Sequence, residues 1–420
     1  MKIITSFAKV LILLTLLTGS TLHAQNLDEQ TIRISLGHSE IYSTIRLQSF
    51  SGNWRLEFRP GKPPLNAVGT LLASAPESIA TVSELLSEGE DASIILVPKG
   101  MVARLSTEKD LDKGYGSIQV EGGELLSLEI PGNPPMILQG SVSVHHNENS
   151  LIVVNQINVR QFIVACVSKI CFSNEPEVLK AMIVAIRSKI AYEKDHPMHD
   201  SPLYDRYDND HYLPFDGCGI NRELVDILTG MTSNKVLMFK NKLINPRFQN
   251  TCGGRISSAK EIYGVDDEPY HASQADIFEG KGSENCFHSP NFHWVIEIQK
   301  NELLDFLAVA YAAGADRIIA AWEPEKVDAN GRISRVLLRG KKPKTVNGGE
   351  FLEKLQEHFG PNSIKSMKFN IENLRRTVIF RGMGSGDGVG MCLYGSDGLA
   401  KKNLKYDDIL KFYYPGVEIK

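Results

Sequence analysis

Between Gln25 and about Ser150, apolar and polar positions alternate in short runs separated by turn residues, the period of half-buried strands. The runs fall at Ile32–Leu36, Ile45–Leu47, Trp54–Phe58, Ala92–Val97, Ser117–Val120, Leu126–Ile130, Ser141–His145 and Leu151–Val154. This half therefore reads as β-sheet, with residues 75 to 91, which lack a sharp period, as a surface connection. After Val154 the period lengthens. Val159 to about Val167 predicts a short helix. Ser173 or Asn174 can cap the next one, which carries Glu175 and Glu177 in its first turn and an apolar stripe of Val178, Leu179, Met182, Ile183, Ile186 and Ile190. Further helices are expected at Glu223–Leu228, Asn301–Ala313, Gly349–Phe359 and Tyr406–Tyr413, and strands at Lys235–Phe239, Trp294–Ile298, Ile333–Leu338 and Arg376–Phe380. The expected class is α+β, with a β-rich part over 25–150 and a mixed helix and strand core over 151–420.

The first 24 residues have the layout of a signal peptide: Lys2 and Lys9, an apolar stretch from Val10 to Leu17, and the small-residue site Leu22-His-Ala24. The expected location is secreted or periplasmic, with no stable membrane insertion, because no later segment has 18 consecutive apolar residues. Loss of Lys2 and Lys9 moves the formal net charge from −4 to −6. No basic stripe interleaved with aromatics is present, so nucleic acid is not an expected partner. Six cysteines, Cys166, Cys171, Cys218, Cys252, Cys286 and Cys392, invite disulfides in an exported chain. Their pairing cannot be read from sequence.

The most unusual stretch is Phe380-Arg-Gly-Met-Gly-Ser-Gly-Asp-Gly-Val-Gly-Met391, in which Gly382, Gly384, Gly386, Gly388 and Gly390 occupy five of nine positions. Such a run requires close backbone approach or positive φ. It is not a phosphate loop, since no Lys-Ser/Thr follows it. With Tyr394-Gly395, Gly398-Leu-Ala400, Tyr406, Ile409-Leu-Lys411 and Tyr413-Tyr-Pro-Gly416 it resembles the C-terminal signature of the stage II sporulation protein D family, which includes the amidase-enhancer proteins. Thr251-Cys-Gly-Gly-Arg255 and Pro176-Glu-Val-Leu-Lys-Ala-Met-Ile-Val-Ala-Ile-Arg187 resemble two further elements of that family, in the same order.

The resemblance implies a protein acting on peptidoglycan glycan strands, in the manner of a lytic transglycosylase. There one carboxylic acid protonates the glycosidic oxygen and its carboxylate then helps the sugar's 6-hydroxyl close onto C1. The family places that acid eleven residues before the Lys of Leu-Lys-Ala, in a loop leading to the central helix. Here the count from Lys180 lands on Lys169. A lysine, with a usual pKa of about 10.4, is a poor proton donor unless burial lowers that value, but it can present a positive charge to a lactyl or peptide carboxylate. Asp387 stands where the glycine loop of the family usually has His. Lys169 and Asp387 are the candidate catalytic pair, charge-reversed relative to Glu and His. Glu175 and Glu177 fit a helix's first turn better than an acid's place.

The expected substrate-binding set is Arg187, Cys252, Gly253, Gly254, Arg255, Gly386 and Gly388. Arg187 can equally serve a structural pairing, Cys252 a groove lining, and Cys392 a buried apolar place or half of a disulfide. Trp294 reads as core. No cofactor is expected, with zinc at His211 and Cys218, which some relatives use together with another Cys, as the alternative. Two functions stay open. One is glycan cleavage with Asp387 or another carboxylate as acid, and the other is a non-catalytic peptidoglycan scaffold or amidase enhancer, with a cell-wall amidase as partner.

Overall fold

A computed structural model describes residues 27–37, 44–51, 54–60, 70–75, 78–81, 92–96, 102–106, 115–122, 124–130, 134–147, 150–199, 201–208, 213–218, 222–265, 268–278, 282–311, 319–360 and 363–420. The signal-peptide segment and His211 lie outside these residues. The chain is α+β and divides into two compact units that interleave in sequence. The first comprises residues up to Phe172 together with Ile190–Lys235, and the second Ser173–Lys189 together with Val236–Lys420.

The first unit contains two sheets. In the seven-stranded sheet the order is Arg206–Tyr207, Thr31–Leu36, Ser150–Asn158, Ser141–Asn147, Tyr115–Glu121, Trp54–Pro60 and Ala92–Leu96. Its pairs are antiparallel except that of Thr31–Leu36 with Arg206–Tyr207. The six-stranded sheet runs Met136–Leu138, Leu125–Glu129, Thr44–Ser51, Val102–Ser106, Thr70–Ala75 and Ser78–Thr81. Register follows the apolar period, because residues directly opposite in an antiparallel pair share a face. Ile32 faces Ile157 and Leu36 faces Val153, all four buried. Leu128 faces both Met136 and Leu47, again all buried. Asn155 is the polar exception on the buried face, and its amide donates to the Gln139 and Ser141 carbonyls.

The strand ending at Asn158 runs straight into the helix Val159–Ile170, whose N-cap is the Asn158 side chain accepting from Arg160 N–H at 2.9 Å. Such a cap contributes about 1 kcal/mol. Phe162, Ile163, Cys166 and Val167 form its buried face, and the helix packs beside Glu223–Met231.

Pro176 opens the long helix Pro176–Asp195 at a position that tolerates a missing N–H. The sequence predicts a stripe here, but the helix is buried almost all round from Val178 to Ala191, Arg187, Ser188 and Lys189 included. Within the second unit, Ser188 donates to the Val184 carbonyl and accepts from Leu237 N–H, and Lys189 donates to Asn245. These contacts are how polar residues sit on a buried face without an orphaned group.

The second unit is built from small sheets. Thr377–Met383 is the centre of a three-stranded antiparallel sheet between His293–Gln299 and Phe369–Asn373. Ile319–Val327, Ile333–Gly340 and Lys344–Asn347 form another. The helices Lys300–Tyr311 and Gly348–Phe359 complete one core around Leu303, Leu307, Phe351, Leu355, Phe369 and Phe380. Trp294 belongs to that core, as expected: it is buried, and its Nε1–H donates to the Gly384 carbonyl at 2.7 Å. Among the described residues, no helix is long and apolar enough to cross a membrane.

Candidate functional site

The glycine run leaves the central strand at Met383 and is laced onto the backbone of residues 247 to 257. Ser385 and Thr251 exchange two N–H···O bonds of 2.7 and 3.0 Å, and Ser257 N–H donates to the Gly388 carbonyl at 2.8 Å. Met391 and Cys392 then pair in parallel with Phe248 and Gln249. On its other side the run takes a bond from Gly386 N–H to the Lys365 carbonyl.

Gly384, Gly386, Gly388 and Gly390 all have positive φ. At Gly388 the requirement is also steric, because a Cβ there would lie 2.0 Å from Arg332 Nε. Gly386 and Gly388, expected to bind substrate, pack against Gln249 and Arg332.

Arg332 is fully buried at the tip of the hairpin Ile319–Gly340, and its Nη2–H donates to the Cys252 carbonyl at 3.2 Å. The carboxylates of Asp387 and Asp328 act on it as countercharge. Asp328 shapes the tip itself by accepting from the N–H groups of Asn330 and Arg332.

Asp387 is half-buried. Its Oδ1 accepts from Val389 N–H at 3.0 Å and its Oδ2 from the Tyr263 hydroxyl. Tyr263 closes the short helix Ala259–Tyr263, which opens on a capping box of Ser258 and Glu261 and ends on Gly264 with φ +75°. The Arg247 guanidinium lies 4.2 Å from the Tyr263 ring centroid and pairs with Glu268 at 3.1 Å.

Glu268 also accepts from His271 Nδ1, while His271 Nε2 accepts from Arg247 N–H at 3.2 Å. That arrangement places the imidazole proton on Nδ1. Burial holds the His271 pKa below its usual value, so the ring is neutral and its contact with Glu268 is a hydrogen bond rather than an ion pair. Burial alone would raise Glu268, but the His271 and Arg247 contacts outweigh it and bring its pKa down to about 2.

The Cys-Gly-Gly turn leads to a second group of side chains. Cys252, Asp276, Cys286 and Cys392 are all buried, and their Sγ and carboxylate oxygen atoms lie within 4.8 Å of one another. Cys252 Sγ is 3.6 Å from Cys286 Sγ and 3.1 Å from Asp276 Oδ2. Asp276 Oδ1 accepts from the Tyr413 hydroxyl at 2.8 Å and from Asn285 Nδ2 at 3.0 Å.

Its contacts with the Cys252 and Cys392 thiols hold the Cys286 sulfur well below the usual thiol range. Burial pushes Cys252 and Cys392 up. Asp276 is raised to about 7 by burial, with the Cys286 charge adding to the rise. Donor atoms of this kind at this spacing can hold a metal ion.

Several expected site residues have other places. Lys169 lies in the last turn of Val159–Ile170, since the helix runs three residues past the predicted end and leaves only residues 171–175 as the loop before the next helix. A cation there is favoured by the helix dipole, and its ammonium pairs with Asp216 at 3.3 Å, both side chains well exposed. Lys169 belongs to the first unit and Asp387 to the second. Arg187 and Cys252 are fully buried, so neither side chain offers surface to a saccharide in this structure. Arg255 is exposed, on a short strand paired with Gln274–Ala275. Gly253 and Gly254 form the turn under Met383 and Glu284.

Glu177 lies in the first turn as expected and accepts from Lys180 and from Tyr406 N–H, whereas Glu175 precedes the helix, with its N–H bonded to Ser173 Oγ. Cys218 is buried and its thiol is pushed up to about 11 by burial. Sequence reasoning did not find Asp276, Arg332, Tyr263 or Glu268, whose roles come from pairings that no short motif encodes.

The fold and this laced glycine loop define an α+β protein with a buried thiol and carboxylate group behind a Cys-Gly-Gly-Arg turn. No family model matches the chain. It is 26% identical over 349 residues to stage II sporulation protein D of Bacillus amyloliquefaciens, covering 78% of this chain and 92% of that protein. It is 25% identical over 293 residues to the protein of the same name from Bacillus subtilis, covering 66% and 78%. An uncharacterized protein of Brachyspira hyodysenteriae is 27% identical over 283 residues, covering 67% and 71%. The chain is related to the stage II sporulation protein D family.

Proposed function

We propose that this protein is an exported cell-wall factor that holds peptidoglycan glycan strands and does not cleave them. The observation that carries this reading is the fate of the two positions where a proton donor is expected. Lys169 is an amine in an exposed ion pair with Asp216, and Asp387 has both oxygens engaged as acceptors that fix the glycine loop. Protonating a glycosidic oxygen needs a group that holds its proton at working pH and can release it on demand. Both side chains are instead committed to protein partners, Lys169 to Asp216 and Asp387 to Tyr263 and Val389.

Binding asks less of the site. Lys169 and Asp216 are both accessible, and an exposed pair of this kind is held by about 1 kcal/mol or less, so a ligand carboxylate can displace Asp216. Independently of Lys169, the second unit presents an exposed cation of its own in Arg255, beside the Cys-Gly-Gly turn. Lactyl and peptide carboxylates of peptidoglycan are anions that such cations suit. The relatives' name supports a sporulation or cell-wall setting, and the leader-like first 24 residues support export.

The test is co-sedimentation of the mature protein with purified insoluble peptidoglycan. The wild type is retained, and Lys169→Ala combined with Arg255→Ala weakens retention several-fold. A wild type that stays in the supernatant refutes the binding reading. Release of anhydro-ended fragments restores the enzyme reading.

A further inference from the structure

We infer that Cys252, Asp276, Cys286 and Cys392 form a closed structural zinc site that ties four separate segments of the second unit together. The four side chains come from the Cys-Gly-Gly turn, the residue after Gln274–Ala275, the 282–292 loop and the N-cap of the helix Leu393–Ala400. A tetrahedral zinc thiolate with Zn–S of about 2.3 Å has S···S edges of about 3.8 Å. The Cys252–Cys286 separation of 3.6 Å and the 4.8 Å limit on all the donor atoms bracket that edge. Three sulfurs and one carboxylate oxygen make a donor set that favours zinc over the hard cations calcium and magnesium. All four residues are buried, which leaves no open position for a substrate and makes the site structural.

The surroundings are those of a ligand shell. Cys392 Sγ receives the N–H groups of Cys252 at 3.3 Å and Gly395 at 3.2 Å. Asp276 turns Oδ2 to the thiols while Tyr413 and Asn285 hold Oδ1, a second layer of the type that orients a monodentate carboxylate. A Cβ on Gly395 would lie 2.1 Å from the Tyr413 hydroxyl and 2.5 Å from Asp276 Oδ2, so this glycine is what lets the shell close.

Asp276 is fully buried and, among the described residues, has no cationic side chain in contact; its partners are a thiol, an amide and a phenol. A divalent ion at the centre of the four donors would give this buried carboxyl the positive partner it otherwise lacks. Two cations further out offset the charge of the filled site: Arg332 donates to the Cys252 carbonyl and Lys368 to the Gly253 carbonyl. A Cys252–Cys286 disulfide would instead leave Asp276 and Cys392 buried without that compensation. This site is separate from the His211 and Cys218 alternative of the sequence reading, which shares no residue with it.

The test is metal content of the full-length mature protein, purified without added metal and dialysed against a weak chelator. The expected result is about one zinc per chain, and thiolate-to-cobalt charge-transfer absorption after exchange for Co(II). Tyr413→Phe, which keeps the ring and removes only the outer hydrogen bond, lowers zinc affinity by about 10- to 100-fold, and Cys218→Ser leaves the stoichiometry unchanged. Cys286→Ser abolishes binding, and because that variant can fail to fold, the Tyr413→Phe titration and the cobalt spectrum carry the test without it. A folded protein free of zinc, a Cys252–Cys286 disulfide found by peptide mapping, or zinc lost with Cys218→Ser and kept with Tyr413→Phe at unchanged affinity each overturns the assignment.

Discussion

Replacing Glu268 by Gln keeps the shape of the side chain that anchors Arg247 and His271 but removes its charge. In the folded protein the carboxyl titrates at about 2 against an ordinary 4.5, a gap of about 2.5 pH units. At about 1.4 kcal/mol per unit, that gap is worth about 3 kcal/mol of folding stability. The folded pKa is the lower one, so the contribution is complete above pH 4.5 and disappears as pH falls toward 2.

Urea unfolding at a series of pH values reads this directly. Near neutrality the wild type is expected to be more stable than Glu268→Gln by about 3 kcal/mol, and the difference should shrink steadily as pH drops below about 4.5. His271, whose folded pKa is depressed, favours the folded state in the same direction at higher pH and is present in both proteins. Parallel stability curves, with a constant difference down to pH 3, would refute the argument that Arg247 and His271 hold this carboxylate ionised. The outcome bears on the site, because Arg247 clamps the Tyr263 ring that donates to Asp387.

Other outcomes follow from single contacts. Gly388→Ala combines a positive φ of +93° with a Cβ 2.0 Å from Arg332 Nε, so it should cost on the order of 3 kcal/mol or more by thermal or urea unfolding. Tyr263→Phe removes a hydrogen bond to a carboxylate and should cost about 1.5–3 kcal/mol, with no loss of the parallel pairing that amide exchange reads at Phe248 and Met391. Phe380→Ala, at a fully buried position of the second unit's core, should cost about 3–5 kcal/mol. Lys169→Ala should change stability by less than about 1 kcal/mol, since its partner is exposed.

Much of this architecture was legible in the sequence. The strands Ile32–Leu36, Trp54–Phe58 and Ser141–His145 lie inside observed strands, and at Ser141–His145 the alternating burial shows how a one-sided face writes a period of two. Tyr406–Tyr413 matched the observed helix because Pro415-Gly416 stops it. The strands Thr70–Ala75 and Val102–Ser106 were missed. So was the helix Leu393–Ala400, which contains Gly395 and Gly398 and is fixed by a cap from Cys392 Sγ and by packing, against its propensity.

The glycine run read correctly as a place of positive φ, yet what the five glycines approach is set in turn by Trp294, Thr251, Gln249, Arg332 and Arg247, all remote in sequence. The same limit hid the thiol and carboxylate group. Cys252, Asp276, Cys286 and Cys392 span 140 residues with no close-spaced pair, so only the fold brings them together. The resemblance located the missing acid at Lys169. The helix end and the Asp216 pairing give that lysine its present surroundings.

Product analysis on glycan strands tests the central claim most directly. Mature protein is incubated with peptide-stripped and with intact strands, at concentrations where it co-sediments with the wall polymer, and the soluble fraction is read by mass spectrometry. The account predicts no anhydro-ended sugars from the wild type on either substrate. Anhydro-ended fragments that vanish in Asp387→Asn would contradict it and make that carboxylate the acid.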